Sequence, residues 1–196
     1  MPLIPFLVPA LVATQAPVAP QAFDRFQELL EAIPQALING RTASMRGLVA
    51  KAKAGWDQAR PEIRKAMPEP EATFIDRQLA SMKKMRPVEQ AMGALGISST
   101  LSRFQPRSRK QDLLQVDRLA MAAWCSVDSG QWEPFPNVAA GFKPLIDQDK
   151  GQHTLTLINV QAALKRLDES HKKRQAVGAK KALKELLSLV DALEKA

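Results

Sequence analysis

One acidic residue, Asp117, falls on an apolar helix face. A helical projection of residues 109–127 at about 100° per residue places it on the side of the helix formed by Leu113, Leu114, Met121 and Trp124. Burying an unpaired carboxylate costs several kcal/mol, and no Lys or Arg lies three or four positions away in this helix. We therefore consider two interpretations. Asp117 either pairs with or caps another helix, or it is a ligand-facing acid with a raised pKa.

Four methionines and the single cysteine are the next candidate ligands. Met67, Met82, Met85 and Met92 could supply thioethers to Cu(I), and the last three have the spacing of one helix face. A core stripe needs the same spacing, and no His or Cys accompanies them, so we predict core packing and no metal site. Cys125, the only cysteine, lies at the edge of an apolar arc and is predicted to be a small buried hydrophobic residue. A disulfide within the chain is excluded.

The remaining catalytic and metal motifs are incomplete or absent. The segment 168–171 supplies half of a Glu-x-x-His di-iron motif with Asp168 in place of Glu, and His153 does not supply the second half. Zinc-protease, phosphate-loop, nucleophile-elbow and dinucleotide-binding motifs are missing. We therefore predict no enzymatic activity and no cofactor.

A cluster of basic residues near the C-terminus is the second candidate site. The chain has a formal net charge of +8, and residues 150–196 carry 10 basic against 5 acidic groups. The candidate binding residues are Lys172, Lys173, Arg174, Lys180, Lys181 and Lys184, of which Lys173, Lys180 and Lys184 are predicted to share a face of the final helix.

Such a basic patch suits an acidic protein surface, anionic lipid heads or phosphates. It lacks interleaved aromatic residues and a helix-turn-helix signature, which disfavours nucleic acid. We expect the partner to be a protein with an acidic surface. A membrane-associated assembly is one form that this partner could take. A solvated face without a partner is the alternative.

Apolar residues spaced three and four apart predict helices over most of the chain after residue 22. The predicted helices are 23–38, 44–67, 70–92, 109–127, 136–147, 153–169 and 174–195. Prolines are expected to kink or split three of them, and residues 93–110 are predicted to be a loop. No segment has the alternation of a strand. The fold class is therefore all-α, an antiparallel bundle of about four long helical units with kinked or split helices and short extra helices, forming one domain over 23–196.

The segment 1–22 is uncharged, apolar and rich in proline. It resembles the apolar core of a signal peptide but lacks a basic residue before it. It is too short and proline-rich to form a transmembrane helix. We interpret it as an export-related leader or as an extended arm that binds a partner or its own domain. A leader predicts a periplasmic, lumenal or secreted protein, with a cytoplasmic location as the alternative.

Together these patterns predict a non-enzymatic exported or lumenal helical-bundle protein that docks onto a partner, as an accessory subunit of a larger assembly. One alternative is a periplasmic bundle that binds a metal or small ligand through Asp117 and the methionine face. The other is a cytosolic nucleic-acid-associated protein that uses the C-terminal basic patch.

Overall fold

The computed structural model describes residues 20–133, 135–148, 151 and 154–195. Within these ranges the chain forms eight α-helices and one 3₁₀ turn (Thr42–Ser44), without a β-strand. The helices are α1 (Pro20–Ile38), α2 (Met45–Ile63), α3 (Glu69–Met82), α4 (Pro87–Ser102), α5 (Arg109–Asp128), α6 (Val138–Gln148), α7 (Thr154–Lys172) and α8 (Ala176–Lys195). The predicted all-α helical bundle is confirmed.

Buried apolar side chains form two clusters that meet along α5. The first lies among α1 to α4 and includes Met121 and Cys125 of α5. The second lies among α5 to α8. Because α5 contributes to both clusters and packs against α4, α6 and α8, it connects the two halves of the fold and carries Asp117.

The predicted loop at 93–110 is wrong over its first ten residues, because α4 continues to Ser102. Glycines and Ser/Thr residues lower intrinsic helix propensity, but Ile97 and Leu101 are completely buried here. Gly93 also permits close approach to α3, since a Cβ atom there would lie 2.9 Å from Nε2 of Gln78. Burial on several sides outweighs the weak local preference for helix.

Of the three prolines predicted to kink or split helices, two lie inside a helix and one lies at a helix start. Pro34 and Pro61 remain inside α1 and α2. Pro87 instead begins α4, which confirms the predicted break. The start of α4 is fixed by Glu89, whose carboxylate accepts a hydrogen bond from the backbone N–H of Arg86 at 2.9 Å.

The chain before α1 lies outside the described residues, so the predicted arm or leader stays a prediction. α1 begins at Pro20, three residues before the predicted start at residue 23. None of the described helices combines the length and apolarity needed to cross a bilayer.

Candidate functional site

Asp117 lies where α1, α5 and α8 meet, in surroundings that contain more carboxyl groups than basic groups. Its Oδ1 atom is buried and has no hydrogen-bond partner, and no basic side chain in the described residues forms an ion pair with it. Burial, reinforced by Glu31 of α1 and by Asp191 and Glu194 of α8, raises the pKa of Asp117 to about 8. We call these four carboxyl groups the acidic junction.

The amide of Gln27 adds a second acceptor oxygen without a hydrogen-bond donor, after Oδ1 of Asp117. Its Nε2 donates to Glu31 Oε1 at 3.2 Å, whereas its Oε1 is buried without a partner. Burial raises the pKa of Glu31, and this hydrogen bond opposes part of the increase. Acceptor oxygens therefore outnumber donors in the junction.

Arg118 does not neutralise the junction. Arg118 is 6% exposed. Its Nη1 donates to the carbonyl of Ser98 at 2.7 Å and its Nε to the carbonyl of Leu114 at 3.2 Å. Its charge lowers the pKa of Asp117, but this effect is smaller than that of burial and than that of each neighbouring carboxyl group. The ligand-facing role of Asp117 stays a prediction, since its pKa is raised first of all by burial. The chemistry available to the junction is uptake of a proton near neutral pH.

The predicted basic residues are organised by the turn between α7 and α8. The backbone N–H groups of Arg174 and Gln175 donate to the carbonyls of His171 and Ser170 at 2.9 and 2.8 Å. This is the pattern of a Schellman motif, in which a left-handed residue follows the helix end. Arg174 occupies that position, with φ of +49°. Lys173 therefore lies in the turn and not on the final helix.

Two of the six predicted basic residues are engaged within the fold. Lys172 pairs with Asp168 at 2.7 Å. Lys180 pairs with Asp128 and lies 5.4 Å from the ring centroid of Trp124. The predicted common face of Lys173, Lys180 and Lys184 is therefore not formed, because Lys180 turns toward α5.

The other four basic residues are exposed and have no ion-pair partner in the described part of the chain. Together with Val177, which is 85% exposed, they define what we call the basic hairpin surface: Lys173, Arg174, Val177, Lys181 and Lys184. These five residues of the α7–α8 hairpin present four cations and one apolar side chain to solvent.

A groove of about 410 Å³ runs beside this surface between α7 and α8. Lys173 and Lys181 line it, together with the acidic residues Glu169 and Glu185. The two helices approach closely at Gly178, where a Cβ atom would lie 2.6 Å from Ser170 Oγ. Charges of both signs therefore lie within one groove.

The packing that fixes the end of α7 was not predicted from the sequence. The ring of His171 lies 4.3 Å from that of Phe135, and its Nε2 lies 3.0 Å from the carbonyl oxygen of Trp132. His171 follows Leu167 by four residues on the apolar stripe of α7, and this spacing could have revealed the contact.

The methionines do not form one face. Met67 and Met82 are buried in the core, as predicted. Met85 and Met92 instead line a cleft, and Met92 is 45% exposed, so core packing is wrong for Met92. Asp117 does not line this cleft, and the predicted combination of Asp117 with the methionines is not formed.

Cys125 is a buried hydrophobic residue, as predicted. It is 1% exposed, and burial raises the pKa of its thiol to about 12. The described residues contain no group of three or more His, Cys, Asp or Glu side chains arranged to hold a metal ion.

The chain was also compared with known proteins. It matches no protein-family model, no curated protein and no solved structure. Function must therefore be inferred from the side chains and surfaces described above.

Proposed function

We propose that this chain is a non-enzymatic docking protein, an exported or lumenal accessory subunit that binds an acidic surface of a partner protein. The contact is made by the basic hairpin surface. The observation that carries the proposal is the basic hairpin surface itself, in which four exposed cations have no ion-pair partner among the described residues and one of them has a left-handed backbone conformation.

The conformation of Arg174 supports a functional role for its charge. Glycine is the usual residue at this position of a helix end. A residue with a side chain pays roughly 1–2 kcal/mol for the left-handed conformation. Backbone conformations of this kind concentrate at binding sites, where the side chain offsets the cost through its function. An exposed arginine without an ion-pair partner fits that explanation.

The mixed charges beside the hairpin favour a protein partner. Glu169 lines the groove together with Lys173 and Lys181. Glu185 also lines it but pairs with Arg166 at 2.6 Å. A nucleic-acid backbone presents only negative phosphates, whereas a protein surface can match both signs and gain specificity by doing so. The only exposed hydrophobic side chain in this surface is Val177. The surface therefore offers no aromatic ring on which bases could stack.

The absence of catalysis in this proposal is supported by the state of the candidate reactive groups. The Cys125 thiol is buried, and its raised pKa keeps it protonated at neutral pH. His171 Nε2 is engaged with a backbone carbonyl. The proposed compartment depends on residues 1–22 and is checked by sequencing the amino terminus of the natural protein.

Neutralising Lys173, Lys181 and Lys184 together to Gln is expected to slow association with an acidic protein surface about tenfold at low salt, with little change in dissociation. A labelled polyglutamate peptide serves as the probe, and rates are measured by stopped-flow fluorescence over a range of salt concentrations. The three changes should also flatten the salt dependence, since fewer charges steer the encounter.

The matched control removes three exposed cations elsewhere, through Arg46→Gln, Lys51→Gln and Lys84→Gln. Both triple variants lower the net charge equally, so an equal loss of binding would show that only total charge matters. Tighter binding of duplex DNA or phosphatidylserine vesicles than of the peptide would overturn the assignment to an acidic protein.

Arg174→Gly is expected to stabilise the protein by about 1 kcal/mol while weakening peptide binding. Glycine adopts the left-handed conformation without steric cost, but it removes one of the four exposed charges. Urea denaturation measures the first effect and peptide titration the second. Arg174→Gln is the control, because it removes the charge and keeps the strain. If the glycine variant gains no stability, strain at Arg174 does not support the proposal.

A further inference from the structure

A cleft of about 780 Å³ opens between the start of α4 and the end of α5. Its apolar lining comes from α1, the turn between α3 and α4, α4 and α5. The apolar lining residues are Leu37, Met85, Val88, Met92 and Cys125. The volume falls within the range of small-molecule sites, roughly 300–1,000 Å³.

The charged residues that line the cleft are already neutralised. Arg86 pairs with Glu89 at 2.6 Å, and Asp128 pairs with Lys180 of α8. The other polar lining residues carry neutral hydroxyl and amide groups, among them Gln78, Ser126 and Gln131. Within the described residues, the cleft therefore offers hydrogen bonds and apolar contact but no unpaired charge.

The wall that carries the methionines is held in place by specific hydrogen bonds. The Gln90 amide, 2% exposed, donates to the carbonyl of Met82 at 3.0 Å. Glu89 accepts from the backbone of Arg86 at the start of α4. These bonds fix the turn between α3 and α4 on which Met85 lies, so the cleft is a preformed feature of the fold.

The side chains of Met85 and Met92 indicate the class of molecule. Thioethers are unbranched and polarisable, adapt to the shape of a ligand, and make favourable contacts with aromatic rings. Met92 is 45% exposed and lines the cleft together with Met85 and Val88. A ligand in the cleft would cover this side chain and remove apolar area from water.

We propose that this cleft is a binding site for an uncharged, mainly apolar aromatic small molecule. The site is separate from the basic hairpin surface and does not depend on the docking function proposed above. The sequence predicted a ligand site formed by Asp117 and the methionine face. The proposed site is formed instead by Met85, Met92 and the end of α5.

The test uses N-phenyl-1-naphthylamine, an uncharged aromatic dye whose fluorescence increases in an apolar environment. The full chain is expected to bind it saturably at one site, and Met92→Gln is expected to weaken binding about tenfold. Phe74→Gln is the matched control, because Phe74 of α3 is 44% exposed but does not line the cleft. Circular dichroism verifies that both variants keep their helices, which is expected for two exposed positions.

Methyl NMR locates the dye independently of any substitution. The methyl signals of Met85 and Met92 are expected to shift on titration, while that of the buried Met67 does not. Unsaturable binding, equal weakening by both variants, or unmoved Met85 and Met92 signals would overturn the site. Tighter binding of the anionic anilinonaphthalene sulfonate would overturn the assignment to an uncharged ligand. Peptide binding by the Met92 variant should be unchanged, which separates this test from that of the docking function.

Discussion

The free energy of unfolding is expected to fall as the pH rises from about 5 to about 8, and Asp117→Asn is expected to remove most of that fall. The pKa of Asp117 is about 8 in the folded protein and about 3.9 in an unfolded chain. Between these values the folded state holds a proton that the unfolded state has lost, so stability decreases with pH. The upper limit for one group is about 1.4 kcal/mol per pH unit. Relaxation around Asp117 reduces this, and we expect a total loss of about 3 kcal/mol.

The asparagine variant is informative because its amide resembles the protonated carboxyl group and cannot ionise. At pH of about 9 it should exceed the wild type in stability by about 3 kcal/mol, as measured by urea denaturation at a series of pH values. Asp57→Asn is the matched control, because it removes one carboxylate from α2 at an exposed position, where Asp57 pairs with Lys53. A variant at Asp117 that keeps the wild-type slope would show that another group governs it, with Glu31 the first to test because its pKa is raised as well.

The helices that the sequence predicts well are those with one buried face. The final helix shows this: its apolar residues recur every three or four positions, and Leu183, Leu186 and Val190 are buried as that pattern requires. The helix α4 lacks such a period, because buried residues occur on most of its surface. Periodicity detects a contrast between two faces, so a helix enclosed by α1, α3 and α5 gives a weak signal.

The candidate sites show the same limit of local information. Spacing alone placed Asp117 on an apolar face, but its pKa is raised by burial and then by carboxyl groups of α1 and α8, which are distant in sequence. A break between residues 169 and 174 was predicted, but Arg174 was placed in the final helix, because the usual sequence signal for a left-handed residue at a helix end is glycine. Lys173 was likewise counted on the final helix. Only the packing of α8 against α5 shows that Lys180 is engaged, whereas Lys181 and Lys184 have no ion-pair partner among the described residues.

Trp56→Ala is expected to destabilise the protein by about 3–5 kcal/mol, because it opens a large cavity in the first core cluster. Trp56 is completely buried, its ring lies 5.1 Å from that of Phe26, and its Nε1 donates to Asp76 Oδ1 at 2.8 Å. Trp56→Phe keeps a ring but removes the donor, and should cost about 1–2 kcal/mol. Trp132→Ala, at a half-buried position of the second cluster, is the control and should cost less than Trp56→Ala. Urea denaturation measures these losses. A loss below about 1 kcal/mol for Trp56→Ala would contradict the packing of α1 against α2, because removing a well-packed core side chain of this size costs more than that.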